Sequence, residues 1–180
     1  MFNKLPPLVG VPLRYGLIAG VIGCIFLTIL FYIGNHPLLI FPFFDPRLVL
    51  FIIFTFFVLK ELREYYFGGI LFFWQGMIAC FVLTFTFATI ASLFLLLFSS
   101  LETDFITQYV ALFIERAQAN YTEKEIEQIG KEVYEQSLRD LPLSATPLRL
   151  GISYFFGTHA ISFFISIIIS VVLRRQPKPL

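Results

Sequence analysis

Four long apolar stretches alternate with short polar turns along the chain, and one longer polar segment interrupts them. The longest stretch lies between Glu64 and Glu102, where no residue carries a formal charge. A bilayer core about 30 Å thick requires about 20 apolar residues in a helix. This stretch is therefore long enough to cross a membrane, and it indicates that the chain is a membrane protein.

The pattern predicts an all-α polytopic membrane protein with four transmembrane helices and an extracytoplasmic helical hairpin between the third and fourth. The predicted spans cover residues 15–33, 46–66, 69–98 and 150–173, the hairpin covers 99–147, and one membrane domain takes in residues 1–180.

The second span is the shortest, because only residues 48–59 are uncharged, about 18 Å at the rise of an α-helix. Asp45 is expected to cap the helix, with Pro46 in its first turn. Lys60 and Arg63 can extend towards the headgroups at the other end. We therefore expect a full crossing, with a Phe-rich surface that faces lipid or a partner.

The polar segment reads as two helices. The first covers about Thr103 to Gln118, and the second begins at a capping box formed by Thr122 and Glu125 and is closed by Pro142 and Pro147. Acids outnumber bases here, but their spacing lacks the ligand pattern of an EF-hand. A solvated acidic face is favoured over a cation site.

Small residues recur at every fourth position in three of the spans, and such ridges allow helices to approach closely. They are Gly16, Gly20, Cys24 and Thr28 in the first span, Gly76, Cys80, Thr84, Ala88 and Ser92 in the third, and Tyr154, Thr158, Ser162, Ser166 and Ser170 in the fourth. We predict that these three helices pack together through the ridges.

Composition strengthens the membrane assignment and excludes other classes of protein. The chain is 58% hydrophobic with 24 Phe, only 14% of its residues are charged, and its mean hydropathy is +0.83. This balance differs strongly from that of a soluble domain. The sequence has no basic face with interleaved aromatic residues, so nucleic-acid binding is not predicted.

The distribution of charge predicts sidedness. With a cytoplasmic N-terminus, one side holds Lys4, Arg14, Lys60, Arg63, Arg174, Arg175 and Lys178 against only Glu61 and Glu64. By the positive-inside rule, we expect both termini of this multi-pass chain to be cytoplasmic. Three spans would put the basic C-terminal tail outside, so the rule also favours a crossing by the second. The first span is read as an uncleaved anchor, since it is long for a signal peptide.

His159 lies near the predicted bilayer centre, where ionisable side chains are costly and often functional. Cys24 and Cys80 reach a similar depth, so a Cys/Cys/His cluster is conceivable. A metal site would need a fourth ligand, and no spacing signature is present. A neutral, hydrogen-bonded imidazole is favoured, and no metal, cofactor or catalytic residue is assigned.

Further polar candidates lie at the cytoplasmic end of the second and third spans. Lys60, Arg63 and Glu64 could dock a cytosolic partner or a lipid phosphate. The alternative, an ordinary helix end with a Lys60–Glu64 pair at i,i+4, is favoured. Gln75 is expected to hydrogen-bond between helices rather than to hold a substrate.

Three segments carry a resemblance to a known family. They are YGLIAGVIG (Tyr15 to Gly23), KELREYYFGGILFFWQG (Lys60 to Gly76) and YTEKEIEQIGKEVYEQ in the acidic hairpin. In these the chain resembles the domain of unknown function 4199 family, four-span bacterial membrane proteins best known from Bacteroidota. The family's Asp-Pro after the third span is replaced here by Glu102-Thr103-Asp104-Phe105. The resemblance implies an inner-membrane location and supplies no catalytic residue.

These observations favour a non-enzymatic subunit or scaffold of an inner-membrane complex. Its expected partners are the lipid bilayer and another membrane protein or a second copy, with the second helix and the hairpin as contact surfaces. The alternative is a small transporter or lipid-handling protein that acts as an oligomer, with a site near His159, Thr158 and Gln75. An enzyme would require a cavity with titratable groups that the sequence does not indicate.

Overall fold

The computed structural model describes residues 5–40 and 45–176, and over these ranges the chain is helical. The helices are α1 (Pro7–Tyr32), α2 (Pro46–Glu61), α3 (Phe73–Leu101), α4 (Thr103–Asn120), α5 (Glu123–Ile129), α6 (Lys131–Ser144) and α7 (Pro147–Leu173). A 3-10 turn at Pro37–Leu39 precedes α2, and a π-helical turn at Leu62–Tyr66 follows it. Strand structure in the described residues is limited to one isolated bridge between Leu71 and Arg175. The predicted all-helical fold is confirmed.

Among the described residues, three helices are long and apolar enough to cross a membrane: α1, α3 and α7, with 26, 29 and 27 residues. They indicate a membrane protein. Helix α2 has 16 residues, which corresponds to about 24 Å and is less than the thickness of a bilayer core. The crossing by this segment therefore stays a prediction.

Contacts along the three long helices define their directions. Gly16 near the start of α1 packs against Thr86 of α3, and the Tyr32 hydroxyl at the end of α1 donates to Glu102 at 3.1 Å. Helices α1 and α3 therefore run parallel. Gly76 at the start of α3 packs against Ser170 near the end of α7, so α7 runs antiparallel to α3. Helix α3 lies between the other two.

Helix α2 returns antiparallel to α1. Arg14 Nη2 lies 2.7 Å from each carboxylate oxygen of Glu61, and the Tyr15 hydroxyl donates to the same carboxylate at 2.8 Å. The other end of α2 begins beside Leu27. We call the end of the bundle that holds Arg14, Glu61 and the Leu71–Arg175 bridge the Arg14 end, and the opposite end the Glu102 end.

One face of α2 is part of the bundle core. Val58 and Leu59 are fully buried and Phe51 is almost so, whereas Ile53 and Phe57 are exposed. The predicted lipid-facing or partner-facing surface is thus limited to one side of the helix. An apolar residue occupies nearly every position of α2, so the sequence carries no periodic signal that separates the two faces.

The polar segment forms three helices instead of the two predicted. Gly130, with a φ of +93°, separates α5 from α6 because this backbone conformation favours glycine. Pro142 lies inside α6 and does not end it. The predicted capping box is present, with the Thr122 amide donating to Glu125 at 2.8 Å. Phe105, fully buried against Phe31 and Phe98, attaches α4 to the Glu102 end of the bundle.

Candidate functional site

The small-residue ridges lie mostly at helix contacts. Gly16, Gly20, Gly76, Cys80, Thr84, Ala88, Thr158, Ser162 and Ser166 are buried, and Cys24, Thr28 and Ser92 are half-buried. A Cβ added at Gly16 would lie 2.7 Å from Thr86 Cβ, and one at Gly76 would lie 2.8 Å from Ser170 Oγ. One turn after Gly20, the close approach on α1 is made by Gly23 against the Phe87 ring, one residue before Cys24.

Several hydroxyl groups on α1, α3 and α7 are satisfied within their own helix. Thr28 donates to the Cys24 carbonyl at 3.0 Å, and Ser166 donates to the Ser162 carbonyl at 2.7 Å. Such bonds to the preceding turn consume the hydroxyl without linking helices. These ridge residues therefore act by allowing close packing. Between helices, Cys80 Sγ lies 3.8 Å from Ser170 Oγ.

A charged pair occupies the start of α2. Asp45 is 4% exposed, and its Oδ1 accepts from the Arg47 amide at 2.9 Å, as a helix N-cap. Both carboxylate oxygens also accept from Arg47 Nε, at 2.9 and 2.7 Å. The pair is therefore held by the cap and by the guanidinium together.

The Arg47 guanidinium continues from this pair into the bundle. It lies 4.5 Å from the centre of the Tyr154 ring, and its Nη1 donates to Thr158 Oγ1 at 3.3 Å. Thr158 is fully buried near the middle of α7. The Tyr154 hydroxyl is buried and has no partner among the described residues. We call Asp45, Arg47, Tyr154 and Thr158 the Asp45 cluster.

The sequence pattern predicts only a capping role for Asp45 and no role for Arg47. The available signal was the presence of two ionisable residues at the edge of a predicted span, where charges are commonly paired and functional. Asp45, which pairs with Arg47, lies two residues away in the sequence. The other residues that contact Arg47, Tyr154 and Thr158, lie on the distant helix α7. The cluster as a whole could therefore not be read from local spacing.

His159 follows Thr158 on α7 and lies in a groove between α3 and α7. The groove has a volume of about 790 Å³ and is lined by Met77, Ile78, Phe81, Thr84, His159, Ala160, Ser162, Phe163, Phe164 and Ser166. His159 Nδ1 lies 2.9 Å from the Phe155 carbonyl, so Nδ1 carries the proton and Nε2 is an acceptor. No described residue donates a hydrogen bond to Nε2. We call this feature the His159 groove.

The two cysteines and His159 do not come together. Cys80 faces Ser170, Cys24 is half-buried on α1, and the His159 ring contacts Phe155, Phe81 and Phe85. In the part of the chain that the structure describes, no group of three His, Cys, Asp or Glu residues could hold a metal ion.

At the Arg14 end, the charged residues of α2 pair differently from the prediction. Glu64 pairs with Arg63 at 3.2 Å rather than with Lys60, and Glu61 pairs with Arg14. The π-helical turn that begins at Leu62 changes the angular spacing on which an i,i+4 pair depends. Arg63 Nη1 also donates to the Leu173 carbonyl at 3.4 Å, which links this turn to the end of α7.

Gln75 does not bridge helices as predicted. Its Oε1 accepts from the Phe72 amide at 3.0 Å and so caps the start of α3. The capping box pattern normally begins with Ser or Thr. Phe72 stands at the first position instead, so the pattern only weakly indicates this local role.

His36 is a buried residue. From the sequence it is expected only to belong to the turn that ends the first span. It is 3% exposed, between α1 and the 3-10 turn. Nδ1 accepts from the Leu38 amide at 3.4 Å, so Nε2 donates to the Phe105 carbonyl of α4 at 3.1 Å. Burial lowers the pKa of His36 to about 4, and nearby Arg116 acts in the same direction. The neutral imidazole therefore joins α4 to the bundle.

Comparison with known proteins places these features in a family. A family model described as "Protein of unknown function (DUF4199)" matches residues 14–175, nearly the whole chain. Neither a curated protein nor a solved structure matches the chain.

Proposed function

The chain belongs to the DUF4199 family of proteins of unknown function, and we propose that it is a non-enzymatic subunit or scaffold of a membrane protein complex. The observation that carries this proposal is the unpartnered acceptor of His159 in a groove on the outer face of the bundle. A polar atom exposed to hydrocarbon is unfavourable. A donor from a neighbouring transmembrane helix would satisfy it.

The lining of the His159 groove supports a helix as its occupant. Thr84, Ser162 and Ser166 are small residues, and small residues let two helix backbones approach closely. The aromatic side chains of Phe81 and Phe163 border the groove and supply apolar contact area. A partner helix with a Ser, Thr, Asn or Trp donor at the level of His159 would fit this lining.

We further propose that the complex lies in the bacterial inner membrane, that the chain crosses it four times, and that both termini are cytoplasmic. The parallel directions of α1 and α3 support a return through α2. Basic residues at the Arg14 end, with Arg174 and Arg175 beside Arg63, support a cytoplasmic location for that end. Lys4 and Lys178, which also entered the charge prediction, lie outside the described residues.

The proposal is tested by quantitative purification in mild detergent. Ala160→Trp would fill the His159 groove, and Val21→Trp on the exposed face of α1 is the matched control. We expect a second membrane protein to copurify in fixed stoichiometry with the native chain and with Val21→Trp, and to be lost with Ala160→Trp and reduced with His159→Ala.

Two results would contradict the subunit role. In one, the second protein is retained equally by Ala160→Trp and Val21→Trp. In the other, the chain purifies only as a homo-oligomer whose solute uptake disappears in His159→Ala, which would favour the transporter hypothesis.

A further inference from the structure

Two recesses meet on the exposed face of α2, away from the His159 groove. The polar recess, at the Arg14 end, has a volume of about 520 Å³ and is lined by Tyr15, Phe57, Lys60, Glu61, Glu64, Tyr65 and Tyr66. The apolar recess, between α2 and α7, has a volume of about 290 Å³, and its lining, which includes Ile53 and Val172, is entirely apolar. Phe57 lines both recesses, so the two adjoin at this side chain.

The pairing of charges leaves Lys60 available in the polar recess. Glu61 is occupied by Arg14 and Tyr15, and Glu64 is occupied by Arg63. Within residues 5–40 and 45–176, no acidic side chain forms an ion pair with Lys60. Although two carboxylates line the recess, both are neutralised and the remaining charge is positive.

The depth of the recesses matches the two parts of a phospholipid. Tyr65 is 80% exposed at the rim of the polar recess, and Trp74 is exposed at the same end of the bundle. Such aromatic residues are typical of the headgroup level of a membrane. The apolar recess extends from Phe57 one turn further along α2 to Ile53, at the level of the acyl chains.

We propose that the two recesses bind an anionic phospholipid. Its phosphodiester pairs with Lys60, the hydroxyl groups of Tyr65 and Tyr66 contact the headgroup, and one acyl chain lies against Phe57 in the apolar recess. Basic pockets beside the inner leaflet attract anionic headgroups. A zwitterionic lipid brings an additional ammonium group, but Glu61 and Glu64 are already paired with arginines. A soluble phosphate could use only the polar recess.

The test measures retained lipid by native mass spectrometry. The full chain is delipidated in detergent and given equal amounts of phosphatidylglycerol and phosphatidylcholine with identical acyl chains. We expect preferential retention of phosphatidylglycerol. Lys60→Gln should lower it about fivefold, since a Lys near the surface contributes about 1 kcal/mol. Lys60→Arg should preserve it, and Lys124→Gln on α5 is the matched control.

Two further arms separate the sources of phosphate and test the acyl-chain site. Glycerophosphate, which lacks acyl chains, should not displace the lipid. Val172→Trp, which fills the apolar recess, should lower retention. Equal retention of both lipids, unchanged retention in Lys60→Gln, or displacement by glycerophosphate would overturn the proposal. Lys60 is exposed, so its substitution leaves the fold intact even if Val172→Trp does not.

Discussion

Arg47 Nη1 lies 3.3 Å from Thr158 Oγ1, so a guanidinium from the first turn of α2 ends beside the middle of α7. This contact, together with the Asp45–Arg47 pair, places charge against the long, mostly apolar helix α7. Burying an ion is unfavourable unless it is paired and hydrogen-bonded. The Asp45 cluster supplies both conditions. Substituting Arg47 alone should therefore affect stability differently from substituting Asp45 and Arg47 together.

Removing Arg47 alone should destabilise the protein more than removing the charges of both Asp45 and Arg47. Arg47→Met leaves Asp45 buried without its partner and should cost about 3–5 kcal/mol of unfolding free energy. The double variant Asp45→Asn with Arg47→Met should recover a large part of that loss. Reversible unfolding in mixed micelles measures the free energy of unfolding of the single and the double variant.

Arg139→Met, which breaks the exposed pair with Glu135, is the control and should change the free energy of unfolding by less than about 1 kcal/mol. Equal effects of Arg47→Met and Arg139→Met would contradict the expectation.

Gly16→Ala should weaken the packing of α1 on α3. The added Cβ would lie 2.7 Å from Thr86 Cβ and 3.0 Å from the Leu83 carbonyl oxygen, so the helices must separate. Overpacking of this kind costs about 1–3 kcal/mol. Gly157→Ala on α7, where no atom lies within 4 Å of the added Cβ, is the matched control and should be neutral or stabilising. The midpoint of unfolding separates the two variants, and a similar loss in both would argue against close α1–α3 contact.

Acidification should release α4 from the bundle through His36. The folded pKa of about 4 lies below the ordinary value of 6.5, so between these values the released state binds more protons than the docked state. Docking is therefore fully favoured above pH 6.5 and weakens as the pH falls towards 4. Tyr109, which faces His36 from α4, stays neutral throughout this range because burial raises its pKa further above the ordinary value.

Hydrogen exchange of the α4 amides, corrected for the intrinsic effect of pH on exchange, measures this release. His36→Gln removes the titrating group and should flatten the pH dependence between 6.5 and 4. A native chain whose α4 protection is the same at both ends of this range would contradict the role of His36.

Cysteine labelling tests whether α2 crosses the membrane. In a background without Cys24 and Cys80, Asn35→Cys lies before α2 and Tyr65→Cys lies after it, and both positions are exposed. A membrane-impermeant maleimide should label Asn35→Cys in intact cells and Tyr65→Cys only after permeabilisation. Labelling of both residues from the same side would show that this segment does not cross.

The sequence predicted features that depend on local rules and missed those that depend on distant contacts. The long apolar stretches predicted α1, α3 and α7, and the Asp45-Pro46 and Thr122–Glu125 patterns located two helix starts. His36 and Arg47 were missed because their partners, Phe105 and Thr158, are far away in the chain. The break at Gly130 was missed because one glycine inside a helical pattern is ordinarily tolerated.

Because the chain is synthesised from its N-terminus, the Asp45–Arg47 pair can form before the rest of the cluster when α2 enters the membrane. Tyr154 and Thr158 leave the ribosome more than 100 residues after Arg47, so they cannot solvate the guanidinium when α2 first meets the bilayer. Asp45 is only two residues away and is available at once. A carboxylate adjacent in sequence can thus neutralise the arginine during biogenesis, and α7 completes its surroundings when the last helix arrives.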